Sequence, residues 1–241
     1  DYIKKTFKEN GLPEELSYLP HVESSFNYKA YSKVGAAGIW QFMRSTGRLY
    51  KLKINYVIDE RRDPIKATQA AMRLLKDNYQ ILKRWPLALT AYNHGPQSIK
   101  RAIKQVGSRD ITKIIEKYNG RRFGFASKNF YATFMATVII SKKPYLYFPQ
   151  FKKPKKFEYT ELYLHRPYTI KHITKATGVS QKSIKEYNFD IRSSAFQSNL
   201  YLPKKYKIKL PRKHRKSVAS YQKKLKNLKL KKNDFSKGSL H

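Results

Sequence analysis

Residues 11–43 read GLPEELSYLPHVESSFNYKAYSKVGAAGIWQFM, and this stretch decides the fold prediction. Pro13, followed by two glutamates, is a helix-start signal, because acids in the first turn face the positive end of the helix dipole. The helix is predicted to run to Ser24. The small residues at 35–38 then indicate a turn whose backbone approaches a helix or a substrate chain closely.

Glu23 is the only acidic residue between Glu15 and Asp59. It lies near the end of the predicted helix, on the face of Leu16 and Leu19, where the helix dipole and burial both disfavour a charged carboxylate. Both effects raise the pKa of a carboxyl, as a general acid working near neutral pH requires. From its position alone, Glu23 is best interpreted as a surface glutamate paired with a nearby lysine. A catalytic role therefore depends on the residues that follow it in the sequence.

The residues after the small-residue turn are Trp40, Gln41 and Phe42. An aromatic ring beside an amide suits a glycan groove, because sugars bind to aromatic faces and to hydrogen-bonding side chains. The alternative is tight helix packing at the small residues, with Trp40 in the core.

The remainder of the first 150 residues is predicted to be mostly helical, with little sheet. Asp63 and Pro64 form a helix start, with Asp as N-cap and Pro at the first helical position. Apolar residues then follow at the spacing of a core-facing stripe: Ala67, Ala70, Ala71, Leu74, Leu75, Tyr79 and Leu82. Further helices are expected over 87–92, 98–105, 111–118 and 129–141.

The chain has 241 residues, with 52 Lys and Arg against 16 Asp and Glu, and no cysteine. The missing cysteines exclude disulfide scaffolds, thiolate zinc sites and cysteine nucleophiles. The sequence contains no apolar run of the ~20 residues that cross a bilayer, so no membrane span is expected. An anionic partner is predicted from the net charge of +36.

Proline and lysine clusters at 144–156 indicate a linker, because proline cannot continue a helix. The predicted domains are therefore a mainly helical domain over residues 1–150, a small βααβ domain over 151–210 and a basic tail over 211–241. The fold class is predicted to be α+β.

Four motifs occur in order: GLPEELSYLPHVESSFN, SKVGAAGIWQFM, DERRDP and ALTAYNHGP. Together they resemble the lytic transglycosylases of the soluble-lysozyme-like family, especially the membrane-bound type D branch. The resemblance covers about residues 2–140. It implies a goose-type-lysozyme-like catalytic domain that cleaves the β-1,4 bond between N-acetylmuramic acid and N-acetylglucosamine in peptidoglycan.

The resemblance also implies site residues. Glu23 corresponds to the catalytic glutamate of an E-S motif, and the residues implied to bind substrate are Ser32, Gln41, Met43, Tyr92 and Asn93. The family often has a later E-T motif, where this chain has Ala126 or Ser127. That departure affects the glycan contacts on one side and is compatible with a modified, for example N-deacetylated, cell wall.

A single carboxylate favours a lytic mechanism, because ordinary glycosidases need two carboxyl groups. Glu23 would protonate the leaving oxygen, and the sugar's own 6-hydroxyl would then give a 1,6-anhydro product. The alternative is a hydrolytic lysozyme acting on modified peptidoglycan. The histidines show no metal-binding spacing, so neither a metal nor a cofactor is expected.

The second part of the chain resembles a divergent LysM module, a class of small glycan-binding domain, without its usual Gly-Asp-Thr entry. The motifs of this part support its βααβ fold more strongly than they support glycan binding. The alternative role is a domain that packs against the catalytic domain and supports it. The tail is interpreted as a solvated basic helix or disordered arm, or as a tether to anionic envelope polymers. The different-class alternatives are nucleic-acid binding, which no accompanying motif supports, and a non-catalytic wall-binding protein. Peptidoglycan strands are the expected partner, in the periplasm or cell envelope after export.

Overall fold

The computed structural model describes residues 2–152 and 157–228. Its helices are α1 (Tyr2–Glu9), α2 (Leu19–Ser24), α3 (Arg44–Leu49), α4 (Pro64–Leu82), α5 (Trp85–His94), α6 (Pro96–Val106), α7 (Ile111–Lys117), α8 (Phe125–Lys142), α9 (Pro144–Tyr147), α10 (Ile170–Thr177), α11 (Gln181–Tyr187), α12 (Ser193–Gln197) and α13 (Val218–Asn227). Its strands are β1 (Tyr159–Tyr163), β2 (Tyr168–Thr169), β3 (Tyr201–Leu202) and β4 (Lys207–Pro211), and 3₁₀ turns span Glu14–Tyr18, Glu60–Arg62 and Arg212–Ser217. The mainly helical α+β class is confirmed.

The chain divides into two compact units. The first consists of Asp1–Leu52 and Pro64–Lys152, and the second consists of Lys53–Asp63 and Lys153–His241. The second unit therefore includes a short segment from the middle of the first, an insertion that the sequence did not predict.

Helix α4 is the central helix of the first unit and begins at Pro64, as predicted. Ala67, Ala70 and Leu75 of its apolar stripe are fully buried, and α4 packs against α5, which in turn packs against α6 and α8. Asn78 is also buried, and its amide Nδ2 donates to the carbonyl of Ala88 at 3.2 Å. This hydrogen bond satisfies a polar group at a core position and ties α4 to α5.

The helix predicted from Pro13 to Ser24 is instead a 3₁₀ turn followed by the short helix α2. Pro20 is the second residue of α2 and has no N–H to donate, so it can occupy only the first turn of a helix. The helix therefore restarts at Leu19. Leu16 and Leu19 are buried as predicted.

The second unit is built on two antiparallel strand pairs. Strand β1 pairs with β4, with Tyr159 opposite Pro211, and β2 pairs with β3. Helices α10 and α11 lie between the strands in sequence. Thr169 caps α10 by accepting from the amide of His172, whose Nδ1 accepts from the amide of Thr169 in return.

The segment Lys53–Asp63 contributes both apolar and charged side chains to the second unit. Ile58 is buried in the core of that unit and bridges to Ile191. Asp63 accepts from Lys209 Nζ at 2.7 Å, and both side chains are almost fully buried. These contacts explain why the segment belongs to the second unit.

Residues 212–227 form a 3₁₀ turn and α13, with Tyr221 and Leu225 buried in the core of the second unit. These residues form a basic, largely exposed helix, which was one interpretation of the tail, but two apolar side chains one turn apart are buried and fix the helix in place. The rest of the tail, 229–241, and positions 153–156 of the predicted linker lie outside the described residues.

Candidate active site

Glu23 lies one residue before the end of α2, and the chain reverses direction directly after it. Ser25 and Phe26 adopt left-handed backbone conformations, with φ of 50° and 58°. Their amides donate to the carbonyls of His21 and Pro20, respectively. Left-handed residues other than glycine cost on the order of 1 kcal/mol each, and such strain is concentrated at functional sites.

The Glu23 carboxyl group is partly buried and forms no hydrogen bond or ion pair with any other residue that the structure describes. Burial raises its pKa from the ordinary value to about 8, because a buried charge loses its hydration without a compensating partner. Glu23 therefore carries a proton at neutral pH. A carboxyl group in this state can serve as a general acid.

The small-residue segment folds into a tight double turn. Ala37 bridges to Tyr31 on one side and to Phe42 on the other, and Gly38 has a φ of 76° and donates its amide to the carbonyl of Ala30. Ser32 closes the first turn, since its Oγ accepts from the amide of Ala36 at 2.9 Å.

Trp40 and Gln41 have different surroundings although they are neighbours. Trp40 is fully buried, and its indole Nε1 donates to Thr68 Oγ1 at 3.0 Å, so it is a core residue rather than a sugar platform. Gln41 is left-handed, with a φ of 46°, and its amide Nε2 donates to the carbonyl of Gly38 at 2.8 Å. Met43 follows on the surface, with 43% of the residue exposed.

The carbonyls of this segment receive hydrogen bonds from two helices. Ser24 Oγ, at the end of α2, donates to the carbonyl of Ile39 at 3.0 Å. The Tyr92 hydroxyl, on α5, donates to the carbonyl of Trp40 at 2.7 Å. Burial raises the pKa of Tyr92, and the charge of Glu23 raises it further.

Asn93 and His94, at the end of α5, contact Ser127 on α8. Ser127 Oγ donates to Asn93 Oδ1 at 3.0 Å, and it lies 3.1 Å from His94 Nδ1. The ring of Phe123 meets the His94 ring edge-on, with centroids 5.1 Å apart. Ser127 is buried, whereas Asn93 is exposed.

The structure thus brings some of the predicted residues together. Glu23 interacts electrostatically with Tyr92, and Tyr92 donates a hydrogen bond to the segment that carries Gln41. Ser32 and Met43 lie at the two ends of the double turn, and Asn93 forms a separate cluster with Ser127. The sequence had identified Ser127 only as a departure from a family motif, because no local pattern links it to Asn93.

Two further findings concern the described parts of the chain. Within residues 2–152 and 157–228, no group of three or more His, Asp and Glu side chains is arranged to hold a metal ion. No helix in the same residues has the length and apolar character needed to span a membrane.

Residues 2–115 match the family model of the Transglycosylase SLT domain. This part of the chain is therefore an SLT transglycosylase domain, and the resemblance predicted from the four motifs is confirmed. The match includes both Glu23 and Tyr92.

Among curated proteins, the membrane-bound lytic murein transglycosylase D of Escherichia coli K12 is 29% identical over 234 residues, which cover 91% of this chain. The chain spans about half of that relative's length, 48%. Among solved structures, the 70 kDa soluble lytic transglycosylase of E. coli is similar over 61% of this chain and 24% of its own, with 21% identity and a TM-score of 0.47.

Proposed function

We propose that this protein is a peptidoglycan lytic transglycosylase that cleaves the β-1,4 bond between N-acetylmuramic acid and N-acetylglucosamine, with Glu23 as its single catalytic acid. The observation that carries the proposal is the Glu23 carboxyl group of an SLT domain, which burial keeps protonated at neutral pH and whose charge is felt by Tyr92. The match to a lytic murein transglycosylase supports the same substrate.

In the proposed reaction, Glu23 donates its proton to the oxygen of the glycosidic bond as the bond from that oxygen to C1 breaks. The resulting carboxylate then takes the proton of the muramyl 6-hydroxyl, whose oxygen forms the new bond to C1. The product is a 1,6-anhydro sugar, no water is consumed, and Glu23 ends protonated again. The N-acetyl group of the substrate would stabilise the positive charge at C1.

The next three acidic residues after Glu23 in the sequence already form ion pairs or hydrogen bonds with other residues. Asp59 pairs with Arg61 at 2.7 Å, Asp63 pairs with Lys209, and Glu60 accepts from the amide of Lys53. Structural roles for these acids support a mechanism with one carboxylate. An inverting or retaining glycosidase would require a second carboxyl group at the scissile bond.

The residues proposed to bind the glycan are Ser32, Gln41, Met43, Tyr92 and Asn93. Exposed side chains at Met43 and Asn93 are available for contact with a glycan strand, whereas the Tyr92 hydroxyl is used within the protein. We propose that Tyr92 contributes by fixing the segment around Gln41 and by lining the site beside Glu23.

Analysis of the cleavage products tests the proposal directly. Purified peptidoglycan is digested with the protein, and mass spectrometry of the fragments is expected to show 1,6-anhydro ends. Reducing ends without anhydro ends would instead identify a hydrolytic lysozyme. Failure to cleave, with the glycan still bound, would indicate a wall-binding protein.

The proposed place of action is the periplasm or cell envelope, where peptidoglycan lies. The net charge of +36 would hold the protein against anionic envelope polymers. The order of strands and helices in the second unit favours a LysM-like module. The alternative role is a domain that supports the catalytic domain without binding glycan. Binding of the Glu23→Gln variant to peptidoglycan is measured at increasing salt and with DNA as competitor. Binding that survives both indicates wall recognition, whereas general polyanion binding is lost as salt rises.

The pH dependence of cleavage should follow the protonation of Glu23. Because the acid form is needed and its pKa is raised to about 8, kcat/KM should be nearly constant up to neutrality and should fall about tenfold between pH 7 and pH 9. Cleavage rates on soluble peptidoglycan fragments across this range provide the measurement. Binding of the same fragments to Glu23→Gln should stay level, and constant cleavage through pH 9 would argue against Glu23 as the acid.

Replacing Tyr92 with phenylalanine removes the hydrogen bond to the Trp40 carbonyl. We expect the free energy of unfolding to fall by about 1–2 kcal/mol, because a partly buried carbonyl loses this donor. The rate of peptidoglycan cleavage should fall roughly tenfold, because the segment that carries Gln41 is then held less firmly. Tyr79→Phe is the matched control, since Tyr79 stacks on Trp85 through its ring. Equal activity of the two variants would mean that the Tyr92 hydroxyl does not organise the site.

A further inference from the structure

An exposed apolar surface lies where α8 ends and α9 follows it. Its side chains are large, aliphatic or aromatic, and belong to the first unit: Ile139, Tyr145, Leu146, Tyr147, Phe148 and Phe151. This set is called the α8–α9 surface below. Monomeric proteins rarely expose large apolar patches, and those that do so use them to bind proteins, membranes or ligands.

Backbone hydrogen bonds hold the stretch after α8 in a compact arrangement. The amide of Phe148 donates to the carbonyl of Pro144 at 2.7 Å, and the amide of Phe151 donates to the carbonyl of Phe148 at 2.9 Å. The rings of Tyr145 and Phe151 meet edge-on, with centroids 5.5 Å apart. Because the backbone that carries the exposed side chains is already folded, binding a partner there costs little conformational entropy.

Positive charges lie on both sides of the α8–α9 surface in the sequence, at Lys142, Lys143 and Lys152. Lys142 pairs with Glu15 at the surface. The other two lysines are exposed and form no ion pair with any residue that the structure describes. The sequence has no acidic residue over 117–157. A partner of this surface should therefore be anionic as well as apolar.

An anionic lipid bilayer combines these two properties. Tyrosine side chains concentrate where headgroups meet hydrocarbon, because the ring is apolar and the hydroxyl is polar. The hydroxyls of Tyr145 and Tyr147 form no hydrogen bond with any described residue, so both can bind headgroups or water. Leucine and phenylalanine side chains enter the boundary of the acyl chains, while nearby lysines attract anionic headgroups.

A second copy of this chain fits the α8–α9 surface less well than a bilayer does. In a symmetric dimer the same patch lies on both subunits, so the flanking lysines of the two copies would lie close together. The net charge of +36 adds repulsion between the copies. An anionic bilayer is attracted by the same charges, and we therefore favour it as the occupant.

We propose that the α8–α9 surface docks the first unit onto an anionic lipid bilayer. Leu146 and Phe148 enter the boundary between headgroups and acyl chains, and Lys143 and Lys152 contact anionic headgroups. The docking is peripheral and does not depend on the reaction proposed for Glu23, so it is tested without measuring cleavage.

Sedimentation of the protein with lipid vesicles measures the docking. Vesicles of phosphatidylcholine with about one third phosphatidylglycerol are used at about 0.5 M salt, where attraction through the overall charge is largely screened. The double variant Leu146→Ser with Phe148→Ser should bind at least about tenfold more weakly than the wild type, because two apolar side chains no longer leave water.

A matched control for this variant is Leu49→Ser with Phe125→Ser, which removes the same side chains elsewhere in the first unit. Leu49 and Phe125 are 74% and 85% exposed, against 72% and 57% for Leu146 and Phe148. The control should bind vesicles as the wild type does. All four side chains are exposed, so the melting temperature should stay unchanged in both double variants.

The flanking charges are tested separately, at about 0.1 M salt, where the Debye length is about 10 Å. Lys143→Gln with Lys152→Gln should weaken vesicle binding roughly tenfold, because both charges lie near the anionic headgroups. Lys104→Gln with Lys113→Gln, two exposed lysines of the same unit, should weaken it by about twofold or less. Equal losses in the two pairs would overturn the proposed orientation on the bilayer.

A fluorescent label reports on insertion directly, because the chain has no cysteine of its own. Phe148→Cys labelled with an environment-sensitive dye should emit at shorter wavelength when vesicles are added, whereas Phe125→Cys with the same dye should not. Unchanged emission from the dye at position 148 would overturn the proposal. Equal vesicle binding by the two leucine and phenylalanine double variants would do the same.

Two further outcomes would assign the α8–α9 surface to another partner and so overturn the proposal. A wild-type dimer that Leu146→Ser with Phe148→Ser converts to a monomer, in analytical ultracentrifugation, would assign the surface to a second copy. Loss of binding to purified peptidoglycan in that variant, with vesicle binding unchanged, would assign it to glycan.

Discussion

Glu23→Gln is expected to reduce peptidoglycan cleavage by about a thousandfold or more. The amide keeps the shape of the carboxyl group but can neither donate the first proton nor accept the second, and general acid–base catalysis contributes roughly 10²–10⁴-fold. Release of soluble fragments from purified peptidoglycan is the measurement. Glu14→Gln is the matched control, because Glu14 lies on the surface and pairs with Lys4.

The same variant should be more stable than the wild type at neutral and higher pH. The pKa of Glu23 is raised from an ordinary 4.5 to about 8 on folding, so the folded protein binds more protons than the unfolded chain between these values. The free energy of unfolding therefore falls as pH rises from about 4.5 to about 8. Glutamine does not titrate, so this loss, roughly 4 kcal/mol at pH 8 for the shift from 4.5 to about 8, should be absent from the variant.

These two results together distinguish loss of chemistry from loss of fold. An inactive Glu23→Gln protein with a raised melting temperature would show that the carboxyl group is retained for catalysis at a cost in stability. A variant that cleaves at the wild-type rate would show that another residue supplies the proton.

Lys209→Met should lower the stability of the second unit by about 3 kcal/mol. Lys209 Nζ lies 2.7 Å from Asp63 Oδ2, and their side chains are only 9% and 5% exposed. Replacing Lys209 removes the ion-pair partner of the buried Asp63 carboxylate, which is costly in a medium of low dielectric constant. Urea unfolding followed by tyrosine fluorescence provides the measurement.

Lys207→Met is the control on the same strand, β4. Lys207 pairs with Glu161 on the surface, at 3.1 Å, where an ion pair contributes between about 0 and 1 kcal/mol. The double variant Lys209→Met with Asp63→Asn should recover much of the lost stability, since no buried charge then remains unpaired at this pair. Equal losses of stability in Lys209→Met and Lys207→Met would contradict the claim that the buried pair contributes more than the surface pair.

The helices and the catalytic candidate could be predicted from the sequence because the patterns that indicate them lie within short stretches of the chain. The apolar spacing of α4 predicted its buried face, and the scarcity of acids singled out Glu23. The 3₁₀ turn before α2 was not predicted, because glutamates after a proline suit both kinds of helix.

Other features have no local signal. The hydrogen bond from Tyr92 to the Trp40 carbonyl joins residues 52 positions apart, and the pair Asp63–Lys209 spans 146 positions. Neither can be read from periodicity. The helix α13 did carry a signal, because Tyr221 and Leu225 are four residues apart, but the many lysines around them favoured a solvated interpretation.

The assignment of Lys53–Asp63 to the second unit has a consequence during synthesis of the chain. The segment leaves the ribosome about 130–150 residues before its partners Ile191 and Lys209, which corresponds to a delay of roughly 7–30 s at 5–20 residues per second. Throughout that interval Ile58 lacks its bridge to Ile191, and Asp63 lacks its ion pair with Lys209 of β4. Nascent chains halted before residue 157 should therefore be more sensitive to proteases near residue 58 than the completed protein.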